Sequence, residues 1–181
     1  MNPILYLTLL FLELFLLIGI ATYAVGLLYS SLMGAPYVPT QKKRLREILE
    51  GAKLVPGQTF VELGSGDGRM VRLASKEFKM KGIGVEINPL LIWWSRLLAK
   101  RQHIHNAQFI KQNVFKYDLS AAYVVYLFLM PQLIVKLVPQ FESQLKKGSL
   151  VISHGFKIPT WEKKLFHEIR SEPFATFYYQ V

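Results

Sequence analysis

Ile4 to Met33 is a nearly unbroken apolar run, ILYLTLLFLELFLLIGIATYAVGLLYSSLM, with a single charged residue, Glu13. No other feature limits the possible folds as strongly. A helix on the surface of a globular domain keeps one polar face, and this stretch has none to turn outward. As a helix it would be about 45 Å long, more than the ~30 Å of a bilayer core. It exceeds the apolar part of a signal peptide, and no basic segment precedes it. Residues 1–33 therefore read as a retained transmembrane anchor, spanning roughly Ile4–Leu28 with Tyr23 and Tyr29 at the interface. A charge at Glu13 is costly at that depth and calls for neutralisation, a place near one face, or a partner in another protein.

The charge of the chain is concentrated beyond the run. Residues 41–181 hold all 22 Lys and Arg and 11 of the 12 Asp and Glu, a net of +11 against −1 for the first 40 residues. Gln41-Lys-Lys-Arg-Leu-Arg46 follows the anchor, and the positive-inside rule places everything after it on the cytoplasmic side or the equivalent face of an organelle. The absence of cysteine excludes disulfide scaffolds, cysteine zinc sites and cysteine nucleophiles. A chain of this remaining length builds one domain.

Residues 34–40, with Ala35-Pro-Tyr-Val-Pro-Thr40, form an extended linker, since two prolines block a helix. Thr40 is expected to cap a helix that buries Leu45, Ile48, Leu49 and Ala52 and ends near Gly51. Its cations Lys42, Lys43 and Arg44 lie in the first turn and Glu47 and Glu50 near the end, against the helix dipole. Either the cations face anionic lipid headgroups or they are an ordinary stop-transfer cluster.

Strands and helices then alternate. Strands are expected at Thr59–Leu63, Gly82–Ile87, Ala107–Lys111, Tyr123–Leu129 and Leu150–His154, and helices at Arg69–Phe78, Pro89–Gln102 and Pro131–Leu145. Two closing strands, Lys164–Arg170 and Phe174–Val181, flank Ser-Glu-Pro. The pattern predicts an α/β domain with a parallel sheet covered on both faces and an antiparallel pair at one edge.

The chemistry is concentrated in Val61-Glu-Leu-Gly-Ser-Gly-Asp-Gly-Arg69. An apolar strand ends in a glycine-rich turn that opens a helix, which allows close approach of a ligand to the backbone. The spacing differs from the dinucleotide G-x-G-x-x-G, and the Gly-Lys-Ser/Thr of a P-loop is absent. The next strand ends Gly84-Val-Glu-Ile-Asn88, so Glu86 stands about 20 residues on, where an acid can hold ribose hydroxyls.

Together these motifs resemble the class I S-adenosylmethionine-dependent methyltransferases. Pro-Tyr-Val-Pro-Thr after an anchor, Val-Glu-Leu-Gly-Ser-Gly-Asp-Gly-Arg, Gly-Val-Glu-Ile-Asn-Pro-Leu-Leu-Ile-Trp-Trp-Ser-Arg and Asn-Val-Phe-Lys are similar to one subfamily. These are the membrane-anchored protein-lysine methyltransferases of the ATP synthase c subunit and the adenine nucleotide translocase, with their prokaryotic relatives. The resemblance covers most of residues 35–135. It implies a Rossmann-like, seven-stranded class I methyltransferase sheet over residues 41–181, S-adenosylmethionine as cofactor, and methylation of a lysine in a membrane protein.

Carried over by motif, Glu62, Gly64, Ser65, Gly66, Asp67 and Gly68 surround the methionine part of the cofactor, Glu86 takes the ribose, and Asn113 lies beside the adenine. The family commonly has Asp at the last of these positions. Leu129, Met130 and Pro131, after the fourth strand, mark the substrate pocket. DNA adenine methyltransferases carry Asn/Asp-Pro-Pro-Tyr there. Leu-Met-Pro-Gln offers no amide or carboxylate at its first position to hold an exocyclic amine, which counts against a nucleobase. Tyr126, Phe128 and Phe115 are candidates for an apolar wall that would favour neutral lysine, although ordinary core is the default for each. The residues name no general base.

Some residues are left outside the site. His103 and His105 lack a third metal ligand and read as cations at a helix end, so no metal is expected. His154 ends a strand near the ligand edge, as a satisfied edge histidine or a substrate contact. Trp93 and Trp94 point to different helix faces, one expected in the core and the other over the cofactor or at the membrane. The scattered basic residues come without a nucleic-acid motif, and a solvated surface or one facing anionic lipid explains them better. The rival functions are methylation of a lipid, quinone or small molecule and, ranked last, of RNA or DNA.

Overall fold

A computed structural model describes residues 2–32 and 42–181, which form two compact units, an N-terminal helix and an α/β domain. The expected linker at 34–40 and the Thr40 cap lie outside the described residues. Helix α1 runs Pro3–Leu32. Its segment Pro3–Gly26 is long and apolar enough to cross a membrane, with a mean hydropathy of 2.5. Thr8 and Thr22 return their hydroxyls to the carbonyls of Ile4 and Ile18 at 2.8 and 2.7 Å.

The domain follows the alternation of its sequence. Its strands are β1 (Thr59–Leu63), β2 (Lys81–Glu86), β3 (Ala107–Lys111), β4 (Val124–Leu127), β5 (Leu150–His154), β6 (Leu165–Ile169) and β7 (Thr176–Gln180), and its helices α2 (Lys42–Gly51), α3 (Arg69–Glu77), α4 (Pro89–Arg101) and α5 (Pro131–Gln144). The seven strands lie in the order β3-β2-β1-β4-β5-β7-β6. All pairs are parallel except those of β7, which runs antiparallel between β5 and β6. The order reverses between β1 and β4, which opens a crevice at their carboxyl ends, where open sheets bind ligands.

Both sheet faces are covered, and consecutive residues of β7 show how. Tyr178 and Tyr179 point to opposite sides. The Tyr178 hydroxyl donates to the Ile48 carbonyl of α2 at 2.9 Å, within a core that also takes Leu45, Leu49, Phe60, Met70, Leu73 and Ile152. The Tyr179 hydroxyl accepts the Ile158 amide at 2.9 Å, and its ring meets Trp161, which in turn packs on Phe141 of α5.

Three expectations change. Strand β4 stops at Leu127 rather than Leu129, because β1 turns away after Leu63, its partner in register; the apolar run continues off the sheet into the crevice. Neither Trp93 nor Trp94 is core. The buried face of α4 is a narrow stripe of Ile92, Ser95 and Ala99, which leaves the two indoles 63% and 41% exposed. Arg44, expected either to face lipid or to belong to a stop-transfer cluster, is half-buried and bonds Glu47 at 2.9 Å and the Phe174 carbonyl at 3.4 Å. With Arg46 paired to Glu77 of α3, the unfavourable charge order of α2 is offset inside the domain.

Candidate functional site

The loop after β1 is held by its backbone. The amides of Gly64 and Ser65 donate to the Val85 carbonyl of β2 at 2.9 and 3.0 Å. Gly64 and Gly68 both have left-handed φ, 76° and 73°. A Cβ on Gly64 would stand 2.8 Å from Leu129, and one on Gly68 would collide with the Phe109 ring and approach Ser95 Oγ at 3.0 Å. Any side chain at either position therefore meets both backbone strain and a clash. The Gly64 contact also brings together two segments that the sequence singled out separately, the glycine loop and Leu129.

Three acids surround this loop, each satisfied differently. Glu86, at the end of β2, accepts three amides: Gly66 on Oε2 at 3.0 Å, and Ile87 and Asn88 on Oε1 at 2.8 and 2.9 Å. A carboxylate has about four acceptor positions, so one remains for a ligand hydroxyl, on Oε2. Glu62 is buried and accepts the Val71 amide of α3 at 3.3 Å. Burial raises its pKa well above the usual carboxyl range, and the charges of Asp67 and Glu86 add to the rise. Burial also acts to raise Asp67, but the hydrogen bonds and charge of Arg69 prevail and lower it. Arg69 holds that carboxylate through Nε at 3.0 Å and a terminal nitrogen at 2.8 Å.

Not every expected side chain turns inward. Ser65 Oγ is buried, has no hydrogen-bond partner among the described residues, and lies against Gly84. Asp67 is committed to Arg69 and borders a cleft of about 450 Å³ on the outer side of α3, with Leu45, Arg72 and Lys76. Asn113 follows β3, whose end is tied to β2 by the Gln112 amide on the Glu86 carbonyl at 3.0 Å. Its Oδ1 caps the next turn by accepting the Phe115 amide at 3.0 Å, which leaves the Nδ2 hydrogens as its contribution to a ligand.

Across the crevice, the ends of β4 and β5 are uncharged. Leu129 is buried beside Gly64, Met130 is partly exposed, and Pro131 opens α5. Phe128 meets His154 edge-on at 4.6 Å between centroids and Phe174 at 5.1 Å. His154 Nδ1 pairs with Thr176 Oγ1 at 2.9 Å. Burial, helped by the Arg44 charge, pushes its pKa down to about 4, so the ring is neutral at ordinary pH. Tyr126 is fully buried behind this cluster, whereas Phe115 is exposed after β3 and takes no part in it. Phe174 and Thr176 escaped sequence reasoning, because nothing local announces that β7 returns to pair with β5.

Comparison with known proteins finds relatives of both the sequence and the fold. The profile of one family, the ANTKMT methyltransferase domain, matches residues 62–165. A protein-lysine N-methyltransferase of Saccharolobus islandicus is 39% identical over 131 residues, 71% of this chain and 81% of that protein. The ATP synthase c-subunit lysine N-methyltransferase of Xenopus laevis is 33% identical over 127 residues, 70% of this chain; the chain spans 55% of that relative. Among solved structures, an RNA methyltransferase from Salinibacter ruber in complex with S-adenosyl-L-homocysteine superposes with a TM-score of 0.76 at 32% identity, over 80% of this chain and 94% of that one.

Proposed function

The chain belongs to the ANTKMT methyltransferase domain family, and from that premise we propose that it methylates a lysine side chain of a membrane protein. The fold is that of the class I methyltransferases, and the methyl donor is S-adenosylmethionine. When bound, the cofactor supplies an electrophilic methyl group on a positively charged sulfur.

The protein's part is positioning and desolvation. Glu86, already fixed by three amides, offers its remaining acceptor position to a ribose hydroxyl. Asn113 offers its amide hydrogens to the adenine edge. Glu62, Gly64, Gly66 and Gly68, with the Ser65 and Asp67 backbone, form the floor under the methionine part. Buried Glu62 stands where a cationic cofactor would favour its ionised form.

The observation that carries the lysine reading is the opposite wall. Leu129, Phe128, neutral His154 and Phe174 hold no charge, and Leu129 touches the glycine loop. A lysine ammonium entering such a wall is desolvated, which lowers its pKa and frees the nitrogen lone pair for attack. Leu129, Met130 and Pro131 define where that nitrogen meets the methyl group.

The anchor reading completes the proposal. Helix α1 holds the enzyme in a membrane with the domain on the cytoplasmic or equivalent face, so its effective concentration toward membrane substrates is high. Mass spectrometry of membrane proteins from cells with and without the gene tests this. A methylated lysine present only with the gene is expected; an unchanged lysine inventory overturns it. A second reading, RNA methylation, is favoured by the name of the Salinibacter ruber relative. The uncharged Leu-Met-Pro segment opposes it, and gene-dependent methylated nucleosides in hydrolysed RNA would establish it. Lipid or quinone methylation shares the cofactor half of the site and differs only in product.

A further inference from the structure

Between Glu86 and Asp118 the chain has no acidic residue, yet it carries Arg96, Lys100, Arg101, Lys111 and Lys116. This band comprises α4, the edge strand β3 and the turn after it. It also holds a set of large exposed apolar side chains: Leu90 at 41%, Trp93 at 63%, Trp94 at 41% and Phe115 at 38%. On α4 the exposed stripe runs from Leu90 through the two indoles to Lys100 and Arg101, so an apolar front leads into a cationic rear. Lys100, Arg101, Lys111 and Lys116 are exposed and enter no ion pair among the described residues. Lys100 and Arg101 also line a broad groove between α4 and β3 with His103 and His105.

A soluble surface rarely sets two neighbouring tryptophans in water, and their ring centroids lie only 6.2 Å apart. Indoles prefer the headgroup level of a bilayer, where the ring is apolar and its N–H stays wet, and lysine and arginine reach past them to lipid phosphates. We propose that this face of the domain, Leu90, Trp93 and Trp94 with Lys100 and Arg101, docks on the surface of an anionic bilayer. The proposal rests on the reading of α1 as a membrane anchor, because a tethered domain meets that surface at high effective concentration. The absence of acid from the whole band supplies the charge complementarity toward an anionic surface.

The third tryptophan makes the test internal to the protein, since Trp161 is 1% exposed. The full chain is reconstituted into vesicles of phosphatidylcholine with phosphatidylglycerol, with and without doxyl-labelled lipid. Docking predicts blue-shifted emission, strong quenching by doxyl lipid, and loss of that quenching in a Trp93→Phe/Trp94→Phe variant that retains Trp161. Lys100→Glu/Arg101→Glu should reduce the quenching toward the level seen in phosphatidylcholine alone. If the protein floats with the vesicles but aqueous acrylamide quenches the indoles and doxyl lipid does not, docking is overturned and the anchor stands. If it fails to float, the anchor reading itself falls. Quenching by added polyuridylate in place of lipid would assign the face to RNA and overturn the proposal.

Discussion

The two walls of the crevice are built on opposite principles. On the β1–β2 side, three acids lie around one glycine loop, and backbone amides or an arginine hold them. On the β4–β5 side, leucine, two phenylalanines and a neutral histidine carry no charge themselves, and a cation acting on them, Arg44, bonds the Phe174 carbonyl and helps keep His154 neutral. A polar cofactor needs fixed hydrogen-bond partners, whereas a lysine nucleophile needs to lose its proton. In the proposed function one wall binds the cofactor and the other dries the lysine, and each can be broken without removing the other.

The largest effect is expected on the binding wall. Glu86→Ala should abolish cofactor binding in calorimetry. It also strands three amides, at about 1–3 kcal/mol for each one left buried and unpaired, so the melting temperature should fall. Retained affinity would remove Glu86 from the site. Gly64→Val comes next. A β-branched residue at φ 76°, pressed on Leu129, costs about 1–3 kcal/mol of strain and closes the gap between the walls. Activity should vanish while a large part of the fold survives, as circular dichroism would record.

Glu62→Gln separates stability from function. Because the folded-state pKa of Glu62 is raised, the folded form binds a proton that the unfolded form has lost. Stability therefore drains as pH rises above the ordinary carboxyl range, by about 1.4 kcal/mol per unit until the folded-state value is reached. The variant lacks this loss. Denaturant titrations should show it more stable than the parent at neutral pH and equal to it in acid, with weaker cofactor binding. Parallel pH profiles would refute the buried proton.

The smallest effect at neutral pH is expected on the drying wall. His154 is lowered to about 4, so its contribution is complete above its ordinary value of 6.5 and is lost as pH falls from there toward 4, when the unfolded ring takes a proton that the folded ring refuses. His154→Phe should flatten that acid limb of the stability curve. An unchanged limb would place the titration elsewhere.

The same comparison explains what was legible in the sequence. The binding wall is local: Glu62 to Gly68 is one continuous segment, and Glu86 follows at the spacing of a strand–helix–strand unit. The drying wall is assembled from β4, β5 and the approach to β7, where Phe174 and Thr176 arrive on an expected closing strand whose place beside β5 no periodicity announces. Side-chain direction was also hidden. The motif contains Ser65 and Asp67, but only packing shows that one turns onto Gly84 and the other to Arg69. The expectation that one of the two tryptophans is core failed because burial on α4 is set by the narrow Ile92–Ser95–Ala99 stripe rather than by hydrophobicity.

The central claim is that the dry wall receives a lysine. Membranes from cells lacking the gene, incubated with the purified full chain and methyl-tritiated S-adenosylmethionine, test it most directly when label is sorted into protein hydrolysate, extracted lipid and RNA. The account predicts label in methyl-lysine of the protein fraction, absent with Glu86→Ala. Label confined to the lipid or the nuclease-sensitive fraction, with none in methyl-lysine, would contradict it.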